Sequence, residues 1–297
     1  MNIISSFLPS ARPPFLILAV VCVCLGTSVA IYRNVSIDYL YFTLAIIGGI
    51  TAAMSVNLLN EYNDFKSGLD AKTNRTPFSG GSGWLIKHPH FAKSVLNAAF
   101  ICLVITFSIG IYFAVISGPI IIYGGLLGLL IIATYTNILN KSAWLCLISP
   151  GVGFGILMTL GSQLVQSGKI YEQAIWIAVI PTMLINNLLL LNQYPDIKAD
   201  KQAGRNHMPI RYGINFSNLV FGIQLMLATA VLAFLIATQG LPAMSAWAFI
   251  PLLTGAIAFY GMVRHQEAVA KKTTYLALNT ICANVTPLVL AIVLWIS

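Results

Sequence analysis

Nine stretches of roughly twenty apolar residues, nearly free of charge, leave this chain few ways to fold. A helix needs about 20 such residues to cross a bilayer. The stretches cover about residues 14–32, 38–60, 94–116, 119–136, 143–165, 173–194, 216–238, 243–263 and 275–296. Barrel strands would be shorter and would alternate. These runs are continuous, and a helix satisfies its own backbone in lipid, so helices are expected. The expected fold class is all-α: a polytopic membrane protein whose nine transmembrane helices form one bundle, a single domain over residues 1–297. Composition agrees, because only 8% of the residues are charged against about 25% in soluble domains. Too few charges remain to cover a soluble globule, which excludes a soluble enzyme, a secreted disulfide module, a disordered chain and a coiled coil. Cys22, Cys24, Cys102, Cys146 and Cys282 all lie in apolar runs and form no CxxC pair, so they read as small core residues.

The basic residues orient the bundle. Lys and Arg collect on the cytoplasmic side of membrane proteins. With the N-terminus inside, fourteen of the 16 basic residues fall on the inner side, and only Arg33 and Lys169 fall outside. The first run is long for the core of a cleaved signal, with only Arg12 before it, so it reads as an uncleaved helix. The expected protein is an integral, multi-pass one of a bacterial inner membrane, with the N-terminus and both long loops cytoplasmic and the C-terminus outside. Those loops are about residues 61–93 and 196–215; every other connection is short.

The chain has 8 acids, and five of them stand where the second and sixth runs emerge on the inside. Residues 58–67 read LLNEYNDFKS and residues 190–199 read LLNQYPDIKA, with six identities in ten. The offset of 132 residues is four spans, so both copies face the same side: a parallel internal repeat. Asn57, Asn60, Glu61 and Asp64 fall on one helical stripe, and Asn192, Asp196 and Asp200 on another if the helix continues through Pro195. Two facing stripes place four or five carboxylates around one cavity, and such a cluster repels itself unless cations fill it. Carboxylate and amide oxygens suit Mg²⁺, which keeps several waters and commonly bridges to substrate phosphates. The plain reading is pairing with Lys66, Lys72, Lys198 and Lys201, but pairing does not explain the duplicated pattern or its matched asparagines.

Lys72, Arg75, Lys201, Arg205 and Arg211 lie just beyond the acids. A diphosphate needs metal on some oxygens and Arg or Lys on others. As loop residues they also read as ordinary inner-face charge. Ser79-Gly80-Gly81-Ser82-Gly83 could present amides to a phosphate, though no Walker lysine follows; it reads mainly as a flexible loop. His88, His90 and His207 read as loop histidines without a metal.

The two motifs resemble those of the UbiA superfamily of intramembrane prenyltransferases. That family usually shows Asn-Asp-x-x-Asp with a further Asp downstream, and then Asp-x-x-x-Asp followed by Gly-Lys/Arg. Here the first is Asn60-Glu61-x-x-Asp64 with Asp70 beyond, and the second is Asp196-x-x-x-Asp200-x-x-x-Gly204-Arg205. The resemblance covers the whole helical layout, including Arg12-Pro13 ahead of the first run. The ending Ser67-Gly68-x-Asp70 is most similar to the MenA (1,4-dihydroxy-2-naphthoate polyprenyltransferase) branch. Glu61 departs from the family's Asp by a longer arm, and Gln193-Tyr194-Pro195 replaces a segment that often carries Arg.

What the resemblance implies is an enzyme. It implies two Mg²⁺ ions held by Asp64, Asp70, Asp196 and Asp200, with Glu61 at a further ligand position. Asp64, Asp196 and Tyr135 become candidate catalytic residues, Tyr135 as a shield for an allylic cation. Asn57, Asn60, Asn192, Lys72, Arg75, Lys201 and Arg205 become candidate diphosphate contacts. The implied partners are a prenyl diphosphate, a lipophilic aromatic acceptor and the bilayer, with no nucleic acid. Two other readings stay open: a UbiA-type terpene cyclase using the same metals with no acceptor, and a cation-coupled transporter. Transporters favour midplane sites on interrupted helices, whereas these acids stand at helix exits.

Overall fold

The computed structural model of the chain describes residues 6–71, 73 and 75–297. Lys72, one of the expected diphosphate contacts, lies outside the described residues. Those residues form helices α1 (Pro13–Tyr32), α2 (Tyr39–Lys66), α3 (Trp84–Lys87), α4 (Ala92–Ser117), α5 (Ile120–Thr134), α6 (Ala143–Pro150), α7 (Thr159–Ser167), α8 (Glu172–Asn192), α9 (Ile197–Gln202), α10 (Met208–Ala237), α11 (Phe249–His265) and α12 (Thr273–Ile296). No strand occurs among them. A π-helical segment, Gly151–Met158, joins α6 to α7.

Among the described residues, eight helical segments are long and apolar enough to cross a membrane: α1, α2, Pro89–Ser117, Ala143–Ser167, α8, α10, Ala243–Lys271 and α12. The fourth expected run differs. It forms α5, apolar but only 15 residues long, about 22 Å at 1.5 Å per residue against a hydrocarbon core of about 30 Å. Gly118 (φ 89°) and Pro119 start it late, and the chain leaves the helix at Tyr135 for the turn Leu139–Lys141.

The helix starts follow local chemistry. Pro13 and Pro14 open α1 after Arg12, which adopts a left-handed φ of 52°. A proline's missing N–H is not needed in the first turn. Asp38 caps α2, its Oδ1 accepting the Tyr41 N–H at 3.0 Å. At 28 residues, α2 is about 42 Å long, more than the roughly 30 Å of a bilayer's hydrocarbon core.

The main apolar core joins α1, α8, α10, α11 and α12. Buried amides cross it: Asn187 Nδ2 donates to the Phe221 carbonyl at 3.0 Å, Gln224 Nε2 to Asn187 Oδ1 at 3.0 Å, and Asn279 Nδ2 to the Asn187 carbonyl at 2.9 Å. Such interhelical bonds replace a missing hydrophobic drive between helices already in lipid. On another face of α8, the Gly151 N–H donates to Asn186 Oδ1 at 3.0 Å. Glycine is required there, since a Cβ on Gly151 would stand 2.3 Å from that oxygen. A smaller core packs the C-terminal half of α2 against the start of α4 around Leu58, Leu85 and Val95. A cavity of about 710 Å³ lies among α2, α4, α5, the π segment and α8.

Candidate active site

Asn57, Asn60 and Asp64 line the cavity from one stripe of α2, as their spacing requires. Asn57 Nδ2 donates to the Ala11 carbonyl at 3.0 Å, and Asn60 Oδ1 accepts from the Thr136 hydroxyl at 3.3 Å. The helix stops at Lys66, and Gly68 (φ 72°) takes the left-handed turn that commonly ends a helix. This turn carries Asp70 back to the cavity beside Asp64.

The second stretch arrives differently. The helix does not continue from Asn192 to Asp200: α8 ends at Asn192, and Asp196 begins a separate short helix, α9. Pro195 is the physical reason, because it has no N–H to give and disfavours helical backbone at Tyr194. Tyr194 pins the bend by donating its hydroxyl to Asn218 Oδ1 at 2.6 Å. Asn192, Asp196, Asp200, Arg205 and His207 nevertheless all line the same cavity as the first stretch.

Two links join the stretches directly. Arg205 donates to Asp64 and, through Nη1, to Asp200 Oδ1 at 2.9 Å. The Gly80 N–H donates to Asp196 Oδ2 at 3.0 Å. The glycine segment is therefore ordered against the acids, not a loose loop. Gly80, Gly81 and Gly83 all have left-handed φ (81°, 71° and 67°), and a Cβ on Gly81 would stand 2.8 Å from Asp70 Oδ1. Ser82 fixes the far end: its N–H donates to Glu61 Oε2 at 3.0 Å and its hydroxyl to Glu61 Oε1.

Glu61 consequently stands apart from the other expected ligands. It is fully buried, both oxygens are taken by Ser82, Arg12 Nη2 lies 3.8 Å away, and it does not line the cavity. Its extra methylene reaches the glycine segment, where Ser82 engages both of its oxygens. Arg75 is exposed and also misses the cavity; its Nη2 donates to the Asp70 carbonyl at 2.6 Å. Lys201 and Arg211 are exposed and away from the cavity. Ion pairs to the acids among the described residues come from Arg12, Arg75, Arg205 and His207, not from lysines. Tyr135 lines the cavity, as does Cys146, whose Sγ accepts from Gln193 Nε2 at 3.3 Å.

His207 and the Arg12 contact were not legible as site features. His207 is 1% exposed, and its Nε2 lies 3.0 Å from Asp200 Oδ2. The signal for Arg12 was its solitude as the one basic residue ahead of the first apolar run. For the glycine segment it was three glycines in five residues beside an acidic helix end.

Burial, then the charges of Glu61 and Asp64, push the Asp70 carboxyl up to about 7. Burial, then Asp200, pushes Asp196 up to about 7. Asp70 Oδ2, Asp196 Oδ1 and Asn192 Oδ1 are buried without a hydrogen-bond partner among the described residues. Buried oxygens of this kind are normally satisfied, so the cluster has room for a cation. No three His, Cys, Asp or Glu side chains among the described residues form a ready cage. That suits Mg²⁺, which takes one or two carboxylates and completes its shell with water and substrate phosphate.

Among the described residues, eight helices long and apolar enough to cross a membrane, together with a long cavity that has acidic residues at one end, define an integral membrane protein. The chain belongs to the UbiA prenyltransferase family, whose model matches residues 18–281. It is 30% identical over 204 residues to the 1,4-dihydroxy-2-naphthoate octaprenyltransferase of Bacillus subtilis, covering 68% of this chain and 64% of that protein, slightly less than two thirds of the relative's length. It is 27% identical over 240 residues to the protein of the same name from Haemophilus influenzae, 77% of this chain and 76% of that one. In fold it is similar to a UbiA homolog from Archaeoglobus fulgidus bound to GPP and Mg²⁺, with a TM-score of 0.68 at 10% identity, over 98% of this chain and 100% of that one. A UbiA homolog from Aeropyrum pernix matches with a TM-score of 0.69 at 14% identity, over 91% and 95%.

Proposed function

We propose that this chain transfers a polyprenyl group from its diphosphate to an aromatic quinone precursor inside the membrane, with Mg²⁺ as cofactor. The observation that carries this is the convergence of two acidic helix ends, with unsatisfied Asp70 and Asp196 oxygens, at the mouth of one long apolar cavity. The relatives named as octaprenyltransferases supply the substrate class. Asp64, Asp70, Asp196 and Asp200 would hold the metal, and Asn57, Asn60, Asn192 and Arg205 would contact the diphosphate. When bound, Mg²⁺ neutralises the diphosphate and makes it a better leaving group. Arg12 lines the same end of the cavity and adds positive charge there. Tyr135 offers its ring face to the allylic carbon as that carbon becomes cationic. The apolar walls keep water from the cation until the aromatic ring attacks it. His207 and Ser82 hold Asp200 and the glycine segment in place.

The reading includes one domain with α5 as a ninth membrane-embedded helix, a parallel repeat of the two acidic stretches, and the acids on the cytoplasmic side. A reporter fused after Ser297 should be active only on the non-cytoplasmic side; cytoplasmic activity would overturn the orientation. For the chemistry, the purified protein in lipid nanodiscs should prenylate 1,4-dihydroxy-2-naphthoate from a polyprenyl diphosphate with Mg²⁺ present, and lose turnover in excess chelator. Mass spectrometry decides it. A cyclised hydrocarbon with an untouched acceptor would assign the chain to the terpene cyclases instead.

A further inference from the structure

The acids do not account for every orphaned atom around the cavity. Asn140, in the turn Leu139–Lys141, and Gln193, just past the end of α8, both line it. They are 5% and 7% exposed, yet Asn140 Oδ1 and Gln193 Oε1 are buried with no hydrogen-bond partner among the described residues. In each amide the other end is engaged. Asn140 Nδ2 donates to the Thr136 carbonyl, and Gln193 Nε2 to Cys146 Sγ at 3.3 Å. Turning the Asn140 amide over would set its oxygen against that carbonyl, so it is the oxygen that stays free. Helix α6, which carries Cys146, packs against both the turn and α8. The two amides therefore belong to neighbouring elements of one wall.

A buried amide oxygen costs free energy until a donor reaches it. The diphosphate is not that donor, because its oxygens only accept. Nor is the patch built for a carboxylate: Lys141 beside it is exposed and outside the cavity. Free amide oxygens take O–H or N–H hydrogens. Their position suits the second substrate. The Asn206 N–H, next to Arg205, donates to the Asn140 carbonyl at 3.0 Å. Thr136, whose carbonyl holds Asn140 Nδ2, gives its hydroxyl to Asn60. Arg205 and Asn60 are read above as diphosphate contacts, so a ring held on Asn140 stands near the bond that breaks.

We infer that Asn140 and Gln193 bind the aromatic acceptor by its hydroxyl groups, each amide oxygen accepting one O–H, and so select the dihydroxy form against the quinone. This rests on the prenyl-transfer reading. The quinone has nearly the same outline, but its carbonyl oxygens would face the amide oxygens with no hydrogen between them. A site built around a hydroxyl strongly rejects an analogue that lacks it, since its own buried groups are then left unpaired. The selection has a use: only the dihydroxy ring is electron-rich enough to attack a cation, and a bound quinone would block the cavity.

The test is calorimetric binding of 1,4-dihydroxy-2-naphthoate and of 1,4-naphthoquinone-2-carboxylate to the purified protein in nanodiscs. It is run without oxygen, with Mg²⁺ and a non-transferring prenyl thiolodiphosphate present. The dihydroxy compound should bind about tenfold tighter or more. Asn140→Leu and Gln193→Met should each erase most of that preference. Each should also raise KM for the acceptor by roughly fivefold or more, with KM for the prenyl diphosphate within about twofold of the unaltered value. Equal affinity for the two compounds in the unaltered protein overturns the inference, and that comparison needs no variant to fold. Variants that raise KM for the diphosphate instead also overturn it, assigning the amides to waters around the metal. Loss of prenyl transfer to every acceptor by the unaltered protein overturns the prenyl-transfer reading itself. Transfer that persists without the preference overturns this inference alone.

Discussion

The two acidic stretches share six of ten residues around Asp64 and Asp196, yet they carry their acids on different backbones. The first keeps Asn57, Asn60 and Asp64 on one unbroken helix and turns only after Lys66. The second breaks at Asn192 and presents Asp196 at the start of a new helix. One residue accounts for the difference, since Asn63 in the first stretch corresponds to Pro195 in the second. Both routes bring the acids to one cavity, where Arg205 and the glycine segment stitch them together. The shared residues thus specify a set of oxygens rather than a shared local structure.

The strongest way to break this comparison is to remove one acid from each stretch. Asp64→Asn and Asp196→Asn change charge with little change of shape. Each should lower turnover by roughly a hundredfold or more at unchanged folded yield, because losing leaving-group stabilisation is worth several kcal/mol and about 1.4 kcal/mol is tenfold. If only one of the pair matters, the stretches are not equivalent partners. Pro195→Ala tests the backbone difference. It allows α8 to propagate and swing Asp196 off the cavity, so turnover should fall by about tenfold, with little change in Mg²⁺ affinity at Asp64. Circular dichroism and turnover together check this.

Protons give a third handle. Asp70 and Asp196 stand near 7 without a cation, one in each stretch, and a carboxyl must lose its proton to hold Mg²⁺. Below about 7 the proton competes, and above it the carboxylate is free. Apparent Mg²⁺ affinity, from turnover titrations, should therefore rise as pH increases through about 7, and a flat profile would remove these acids from the metal site. A smaller effect separates Glu61 from the ligands. Glu61→Asp retracts the carboxylate from Ser82, and Ser82→Ala removes the same bond. Each should raise KM for the diphosphate a few-fold, and the double variant should be no worse than the worse single one. Smallest of all, Asp38→Asn, Glu172→Gln and Glu267→Gln should stay within about twofold of the unaltered rate. All three acids are exposed, and asparagine caps a helix as well as aspartate. Sensitivity there comparable to Asp64 would show the acids acting as general charge.

Helices of the right type were legible because a long apolar run has one stable form in lipid. The length of α5 was not, since apolar composition says nothing of where Gly118 and Tyr135 turn the chain. Asp64, Asp70, Asp196 and Asp200 were legible through scarcity: where acids are this few, their placement is informative. The anchoring of Glu61 was not, because its partner Ser82 lies 21 residues away across a turn that only left-handed glycines allow. Arginines displaced lysines as the partners of the acids, for a guanidinium can bridge two carboxylates and an ammonium is a single point.

The adjacent asparagines of α8 have a consequence for aim. Asn186 grips the backbone of the π segment, while Asn187 is held by α10 and α12. Neighbouring residues on a helix point about 100° apart, so these are two clamps at different azimuths. A single clamp would leave the helix free to roll. Two of them fix its rotation about its own axis five residues before Asn192, where a slip of one residue would turn that side chain by the same 100°. Precision in where the second acidic stretch points is thus set by amides deep in the bundle, out of reach of the ligand whose orientation they govern.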